Sequence, residues 1–351
     1  MNGKTARSWR GIVPFTHLAR EGRITVTIGR RELLAALGGA AAWPLAARAQ
    51  QPAMPVIGFL NTRAREEAGG VLAAFRQGLK EADAVEGQNV SIEYRWAERQ
   101  YDRLPALAAD LVHRQVAVIA ANGPATIAAK TATTTIPIVF YTSGDPVQMG
   151  FVARLSRPDG NLTGWTTLGT ELGSKRLELL HEVVPTASTI AALVNPNNPI
   201  TESESSVLKA AAHTLGLPIH ILHASTDDEL DTVFATLVQL RVGALLISPD
   251  PFFSSRSERL GALTLRHAVP AIYQYREFVA AGGLMSYGIS DVDGYRSVGL
   301  YTARILRGKK PTELPVQQVT KVELIINTKT AKALGIMVPL PLLGRADEVI
   351  E

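Results

Sequence analysis

The sequence predicts an α/β fold of two doubly wound parallel-sheet lobes, joined by a hinge that the chain crosses several times. Three observations carry this expectation. Short, continuously apolar, β-branched runs recur from residue 56 onward, the pattern of strands buried on both faces. Between them the apolar period changes to 3.6, as covering helices require. The runs also fall into two sets of four, beginning near 56, 90, 116 and 138 and near 190, 219, 244 and 271.

In the first set the strands read as 56–60, 90–94, 116–120 and 138–141. Val71, Phe75 and Leu79 form one helical stripe; Leu104, Leu107, Ala108, Leu111 and Val112 form another. The stretch 156–180, "SRPDGNLTGWTTLGTELGSKRLELL", combines a Pro158-Asp159-Gly160-Asn161 turn and Gly164 with a helix from about 171, and reads as a first crossing between lobes. The second set is 190–195, 218–222, 244–248 and 271–274. Within it Asp227-Asp228-Glu229 opens a helix capped by Thr226 or Asp227, with the acids complementing the dipole. A strand at 284–287 follows, then a helix marked by Tyr295, Val298, Thr302, Ile305 and Leu306 that Gly308 ends. Short strands at 316–319 and 323–327 and a helix at 328–334 complete the chain. Elements left over after the second set imply that the chain returns to the first lobe. Such a hinge lets two lobes close on something between them.

Charge excludes one class of partner. Removing the eight Lys/Arg and two Asp/Glu that precede Gln50 from totals of 36 and 32 leaves 28 basic and 30 acidic residues. The basic excess thus lies wholly in the leader, and the body is not one that seeks nucleic acid. The leader explains itself differently. Arg30-Arg31 precedes an apolar stretch at 33–47, broken by Pro44 and too short for a bilayer core needing roughly 20 residues. Ala47-Arg48-Ala49 then supplies the small residues of a cleavage site, so a signal peptide ends near Ala49-Gln50. The twin arginines followed by Glu32-Leu33-Leu34 match the twin-arginine export signal in part, with Gly29, Leu33 and Ala35 departing from it. Residues 1–49 are therefore expected to be a non-structural leader, and the mature protein periplasmic. The chain has no cysteine, so its core must hold without disulfides and no lipid anchor is attached at the cleavage site.

No enzyme signature stands out. There is no G-x-G-x-x-G after a strand, no G-x-x-x-x-G-K-[ST] and no G-x-S-x-G. His220 and His223 fall where i and i+3 face opposite ways in a strand, a poor metal pair, so neither metal nor cofactor is expected. What recurs is a small or polar loop after each strand: Asn61-Thr62, 122–126, 143–146, 195–198 and 248–252, with Tyr273 ending a strand. Ligands of open α/β sheets bind outside the carboxyl ends of the strands, where helix N-termini present free N–H groups. Two such edges facing each other make a cleft. Each residue alone is also ordinary turn chemistry.

With these stretches in view, the chain resembles the ABC-transporter substrate-binding proteins that include tryptophan- and tyrosine-binding members, of type I periplasmic-binding fold. The resemblance rests on "IPIVFYTSGDPVQMGFVARLSRPDGNLTGWT" (136–166), "VNPNNP" (194–199), "GGLMSYGISDVDGYRSVGLYTARILRGKKPTELPVQQ" (282–318) and "LIINTKTAKALGI" (324–336), and spans about 55–339. The absent lipobox cysteine departs from lipoprotein members. The resemblance implies lobes of 53–166 plus 285–317 and 167–284 plus 318–351. It implies a non-enzymatic, monomeric protein that binds a small molecule such as an amino acid and hands it to an inner-membrane ABC permease; the alternative is a sensor presenting the same fold to a membrane receptor. Ligand contacts would come from Asn61, Asn122, Thr126, Ser143 and Asp145 in the first lobe and Asn195, Asp250 and Tyr273 in the second, with Tyr287 near the hinge. Thr126 and its helix N-terminus would take a carboxylate, Asp145 or Asp250 an ammonium, and Tyr273 and Tyr287 an apolar or cationic body.

Overall fold

The computed structural model describes residues 54–167, 169, 172–319 and 321–351. The leader and its cleavage site lie outside them. Two sheets organise the described chain. The first has the order β11-β5-β4-β3-β1-β2, built from β1 (Val56–Asn61), β2 (Ser91–Trp96), β3 (Val118–Asn122), β4 (Ile138–Thr142), β5 (Leu162–Thr166) and β11 (Gln317–Gln318), every pair parallel. The second has the order β13-β12-β10-β9-β8-β6-β7, from β6 (Ile190–Val194), β7 (Ile219–His223), β8 (Ala244–Ile247), β9 (Ala271–Tyr273), β10 (Met285–Gly288), β12 (Glu323–Asn327) and β13 (Glu348–Ile350). Its one antiparallel pair joins β10 to β12.

Both faces of each sheet are covered, which is why the strands read as unbroken apolar runs. On one face of the first sheet Phe59 packs with Phe75 and Leu79 of α1 (Gly69–Glu81) and with Tyr295 and Val298 of α10 (Asp291–Leu306). On the other, Leu60 and Phe140 meet Leu104 and Leu111 of α2 (Leu104–His113) and Ala125 and Ala129 of α3 (Gly123–Ala132). The second sheet is flanked likewise by α4 (Leu172–Val183) and α5 (Thr201–Thr214) on one side and α6 (Asp227–Gln239) on the other. Thr226 caps α6 with a full capping box to Glu229, as the acidic run predicts.

α1 and α10 approach closely because glycines allow it: a methyl group on Gly78 would lie 1.8 Å from the Arg296 carbonyl oxygen, and one on Gly299 2.2 Å from that of Phe75. A similar contact explains β5, which the sequence reading treats as part of the crossing. Gly164 breaks the strand pattern there, yet a methyl group at that position would lie 2.1 Å from the Phe140 carbonyl oxygen on β4. The glycine sits in the strand for want of room.

The chain passes between the sheets three times: after β5, after β10 and after β11. Two expected boundaries shift. β10, assigned to the first lobe by a boundary at 285, pairs with β9 and β12 of the second sheet, so that passage falls at 289–290. Gln318 pairs with Thr166 in the first sheet rather than beginning the second lobe. In each sheet the strand order reverses beside the first strand of its set, at β1/β3 and β6/β8, and the loops that diverge there face a common cleft.

Candidate functional site

The switch point of the first sheet is fixed by two asparagines. The Asn122 Oδ1 accepts from the Thr62 amide at 3.1 Å and its Nδ2 donates to Thr62 Oγ1 at 2.9 Å, clasping the loops after β1 and β3. Asn61 Oδ1 accepts from the Arg63 amide at 3.0 Å, and its Nδ2 donates to the Tyr295 hydroxyl at 2.9 Å. Arg63 is thereby turned inward. Its Nη2 lies 2.5 Å from Asp291 Oδ2, with both side chains under a tenth exposed, and its guanidinium stands 5.7 Å from the Tyr295 ring centre. Burial works against the Arg63 charge, but Asp291 together with Tyr295 and Tyr275 more than offsets it, and the net shift of its pKa is upward.

Across the cleft the corresponding group is Asp250, at the N-cap of the short helix α7 (Pro251–Ser254). Its Oδ1 accepts from the Phe252 amide at 2.8 Å and from Asn195 Nδ2 at 3.1 Å, and its Oδ2 from Asn198 Nδ2 at 2.7 Å. Burial raises its pKa while the asparagines lower it, with the net shift upward. A fourth, longer contact comes from the other lobe: the Tyr101 hydroxyl donates to Asp250 Oδ2 at 3.4 Å. A second bridge lies near the rim. Arg256 holds Asp227 within its own lobe at 2.8 and 3.1 Å and reaches Glu67 of the first lobe at 2.7 Å. The lobes are therefore closed on each other.

Between them lies a small cavity, about 30 Å³ in volume with the lobes closed. Arg63, Asn122, Tyr141 and Ser143 line it from the first sheet, Asn198, Asp250 and Tyr275 from the second, and Asp291 and Tyr295 from α10. The Tyr141 hydroxyl is buried and makes no hydrogen bond. A second chamber adjoins, sharing Arg63, Ser254, Tyr275 and Asp291. Among the described residues no cluster of His, Cys, Asp and Glu is arranged to hold a metal ion. No helix among them is long and apolar enough to cross a membrane.

Of the nine residues expected to contact a ligand, the cavity wall contains Asn122, Ser143 and Asp250. Asn61, Asn195 and Tyr273 stand directly behind it. Asn61 holds Arg63 and Tyr295, Asn195 holds Asp250, and the Tyr273 hydroxyl pairs with Ser254 Oγ at 3.0 Å. The other three are elsewhere. Thr126 is fully buried with its hydroxyl donating to the Ala121 carbonyl at 3.3 Å, so its polar group is spent on the end of β3. Asp145 Oδ1 accepts from the Val147 and Gln148 amides at 2.8 and 3.4 Å and caps its own turn. Tyr287 lies opposite Leu324 in the β10–β12 pair and packs on the core of the second lobe. Wall residues that the sequence reading passes over are Arg63, Tyr141, Asn198, Tyr275, Asp291 and Tyr295. Arg63 and Tyr275 lie two residues beyond strand ends, within reach of the post-strand rule. Tyr295 carries only the signal of a helix core stripe.

Residues 55–350 match the family described as ABC transporter substrate binding protein. A tyrosine-binding protein of Clostridioides difficile (strain R20291) is 26% identical over 262 residues, 74% of this chain and 75% of that one. Two solved structures share the fold. A conserved domain protein from Vibrio cholerae has a TM-score of 0.78 at 24% identity, covering 84% of this chain and 99% of its own. The ABC domain in complex with L-Trp from Streptococcus pneumonia has a TM-score of 0.75 at 23% identity, over the same shares. With a match running the length of both sheets, and a closed cleft at the strand ends, the chain belongs to the ABC transporter substrate-binding proteins, a non-enzymatic class.

Proposed function

We propose that this protein is the periplasmic binding component of an ABC importer and closes as a monomer on an amino acid with an aromatic side chain. The observation that carries the reading is the cavity wall itself: three tyrosine side chains, Tyr141, Tyr275 and Tyr295, beside the buried carboxylate Asp250. Aromatic rings offer apolar area and face contacts to an aromatic or cationic body, worth about 0.5–1.5 kcal/mol per ring pair beyond burial. Asp250 suits an ammonium group, which would take the place of the long Tyr101 contact. Relatives named for tyrosine and L-Trp support the same ligand class. Export rests on the leader at 30–49 and delivery to a permease on the family.

Calorimetric titration of the purified protein with L-tyrosine and L-tryptophan tests the ligand. Micromolar dissociation constants, about −8 kcal/mol, are expected. Absence of heat with both, from a protein that melts cooperatively, would overturn the amino-acid reading. Mass spectrometry of material recovered from the periplasm should find an N-terminus at or near Gln50; an intact Met1 would overturn the export reading.

A further inference from the structure

Buried polar atoms of native proteins nearly always find partners. Against that rule, one knot of the second lobe holds seven that find none among the described residues: Thr167 Oγ1, Arg176 Nε and Nη1, Glu204 Oε1, Ser248 Oγ, and both amide atoms of Gln274. None of the five side chains is more than 3% exposed. They come from separate elements. Thr167, Ser248 and Gln274 directly follow β5, β8 and β9, while Arg176 and Glu204 project from α4 and α5. Arg176 donates from Nη2 to the Gly169 carbonyl, and its Nη1 stands 4.0 Å from Glu204 Oε1, beyond hydrogen-bond reach.

The knot lies behind the cavity wall, with none of its five side chains in the lining itself. Gln274 precedes Tyr275 of the cavity wall, and Ser248 stands two residues before Asp250. A methyl group placed on Gly169 would lie 2.8 Å from Gln274 Oε1 and 3.1 Å from Cβ of Ser143, another wall residue. Ser143 belongs to the first lobe and most of the knot to the second, so parting of the lobes removes part of its roof.

Four of the five side chains offer donors, and one of these is a guanidinium. Arg63, the cation already in the cavity wall, has its charge matched by Asp291 at 2.5 Å. Arg176 faces only Glu204, at 4.0 Å, an ion pair without a hydrogen bond that leaves its Nε and Nη1 donors unused. We infer that the Arg176 knot, with Gln274, Ser248 and Thr167, is the subsite that takes the carboxylate of the ligand, leaving the ammonium to Asp250. The inference rests on the amino-acid reading above and adds to it where the anionic end lies. It assigns Arg176 and Gln274 as specificity residues, because an unmatched buried donor penalises any ligand that fails to fill it. Burial lowers the Arg176 pKa and raises that of Glu204, as expected of a pair too far apart to satisfy each other.

The test uses calorimetry on the full protein with L-tryptophan, tryptamine (no carboxylate) and 3-indolepropionate (no amine). The wild type should prefer L-tryptophan to tryptamine by about 30-fold or more, the range for hydrogen bonds to charged groups. Arg176→Met should lose most of that preference by weakening L-tryptophan and 3-indolepropionate while leaving tryptamine nearly unchanged. Should that variant fail to fold, Gln274→Met carries the same comparison, with a loss of about tenfold expected for the two carboxylates. A wild type that binds neither L-tryptophan nor L-tyrosine overturns the amino-acid reading and this inference with it. A wild type that binds, beside folded variants with the same preference for the carboxylate, overturns this inference alone.

Discussion

Replacing Glu204 by glutamine isolates the cost of a buried carboxyl group. Glu204 is 1% exposed, and its nearest cation, Arg176 Nη1, is 4.0 Å away. Burial lifts its pKa from 4.5 to about 7, although Arg176 pulls the other way. Between those values the folded protein keeps a proton that the unfolded chain has released, so stability falls as pH rises through the window. The cost is absent below 4.5 and complete above 7. At about 1.4 kcal/mol per pH unit the displacement amounts to about 3 kcal/mol. Glutamine has nearly the shape of the protonated acid and cannot ionise. Urea denaturation should therefore find wild type and Glu204→Gln within about 0.5 kcal/mol of each other at pH 4.5, and the variant more stable by about 2–3 kcal/mol at pH 8. Comparing the two proteins at each pH cancels every other titrating group. A difference that stays constant with pH would refute the reasoning. So would a wild type that gains on the variant as pH rises, which would make Glu204 a charged partner of Arg176.

Other consequences are as direct. Asp145→Ala should leave ligand affinity within about twofold, since Asp145 caps its own turn, whereas Asp250→Asn should weaken it by about tenfold or more; titration of both variants checks the contrast. Arg256→Ala removes the contact to Glu67 that bridges the lobes. A partly exposed pair of this kind is worth about 0.5–1 kcal/mol, so affinity should fall about two- to fivefold, with the loss shrinking in high salt. Gly299→Ala forces a methyl group into the Phe75 carbonyl and should destabilise the protein by about 1–3 kcal/mol in denaturant titration.

The fold was legible because burial on both faces writes itself into composition. Runs such as 138–141 and 244–247 have no polar side to confuse them with an edge or a helix. β5 was not, because Thr163, Gly164 and Thr166 answer to neighbours rather than to propensity. Thr163 donates to the Leu314 carbonyl at 2.6 Å and Thr166 to that of Gly144 at 3.0 Å, and Gly164 makes room for Phe140. Contacts of that span leave no local trace.

The candidate site divides on the same ground. The post-strand rule finds the right loops, since it follows from sheet topology, but inside a loop it cannot say which polar side chain faces the cleft. That depends on which backbone amides and distant groups claim the others first. Asp145 is claimed by two amides within three residues, and Asn122 by Thr62 across the switch point. Asn61 is claimed by Tyr295, 234 residues away. The groups left over are those to which recognition is assigned above: Tyr141 in the wall, Arg176 and Gln274 behind it. A binding site of this kind is defined by polar atoms that the fold declines to satisfy. Those become countable only after every satisfied atom has been accounted for, which is why Arg176, an ordinary helix arginine in the run "SKRLELL", carries no signal until α4, α5 and the crossing after β5 are in place.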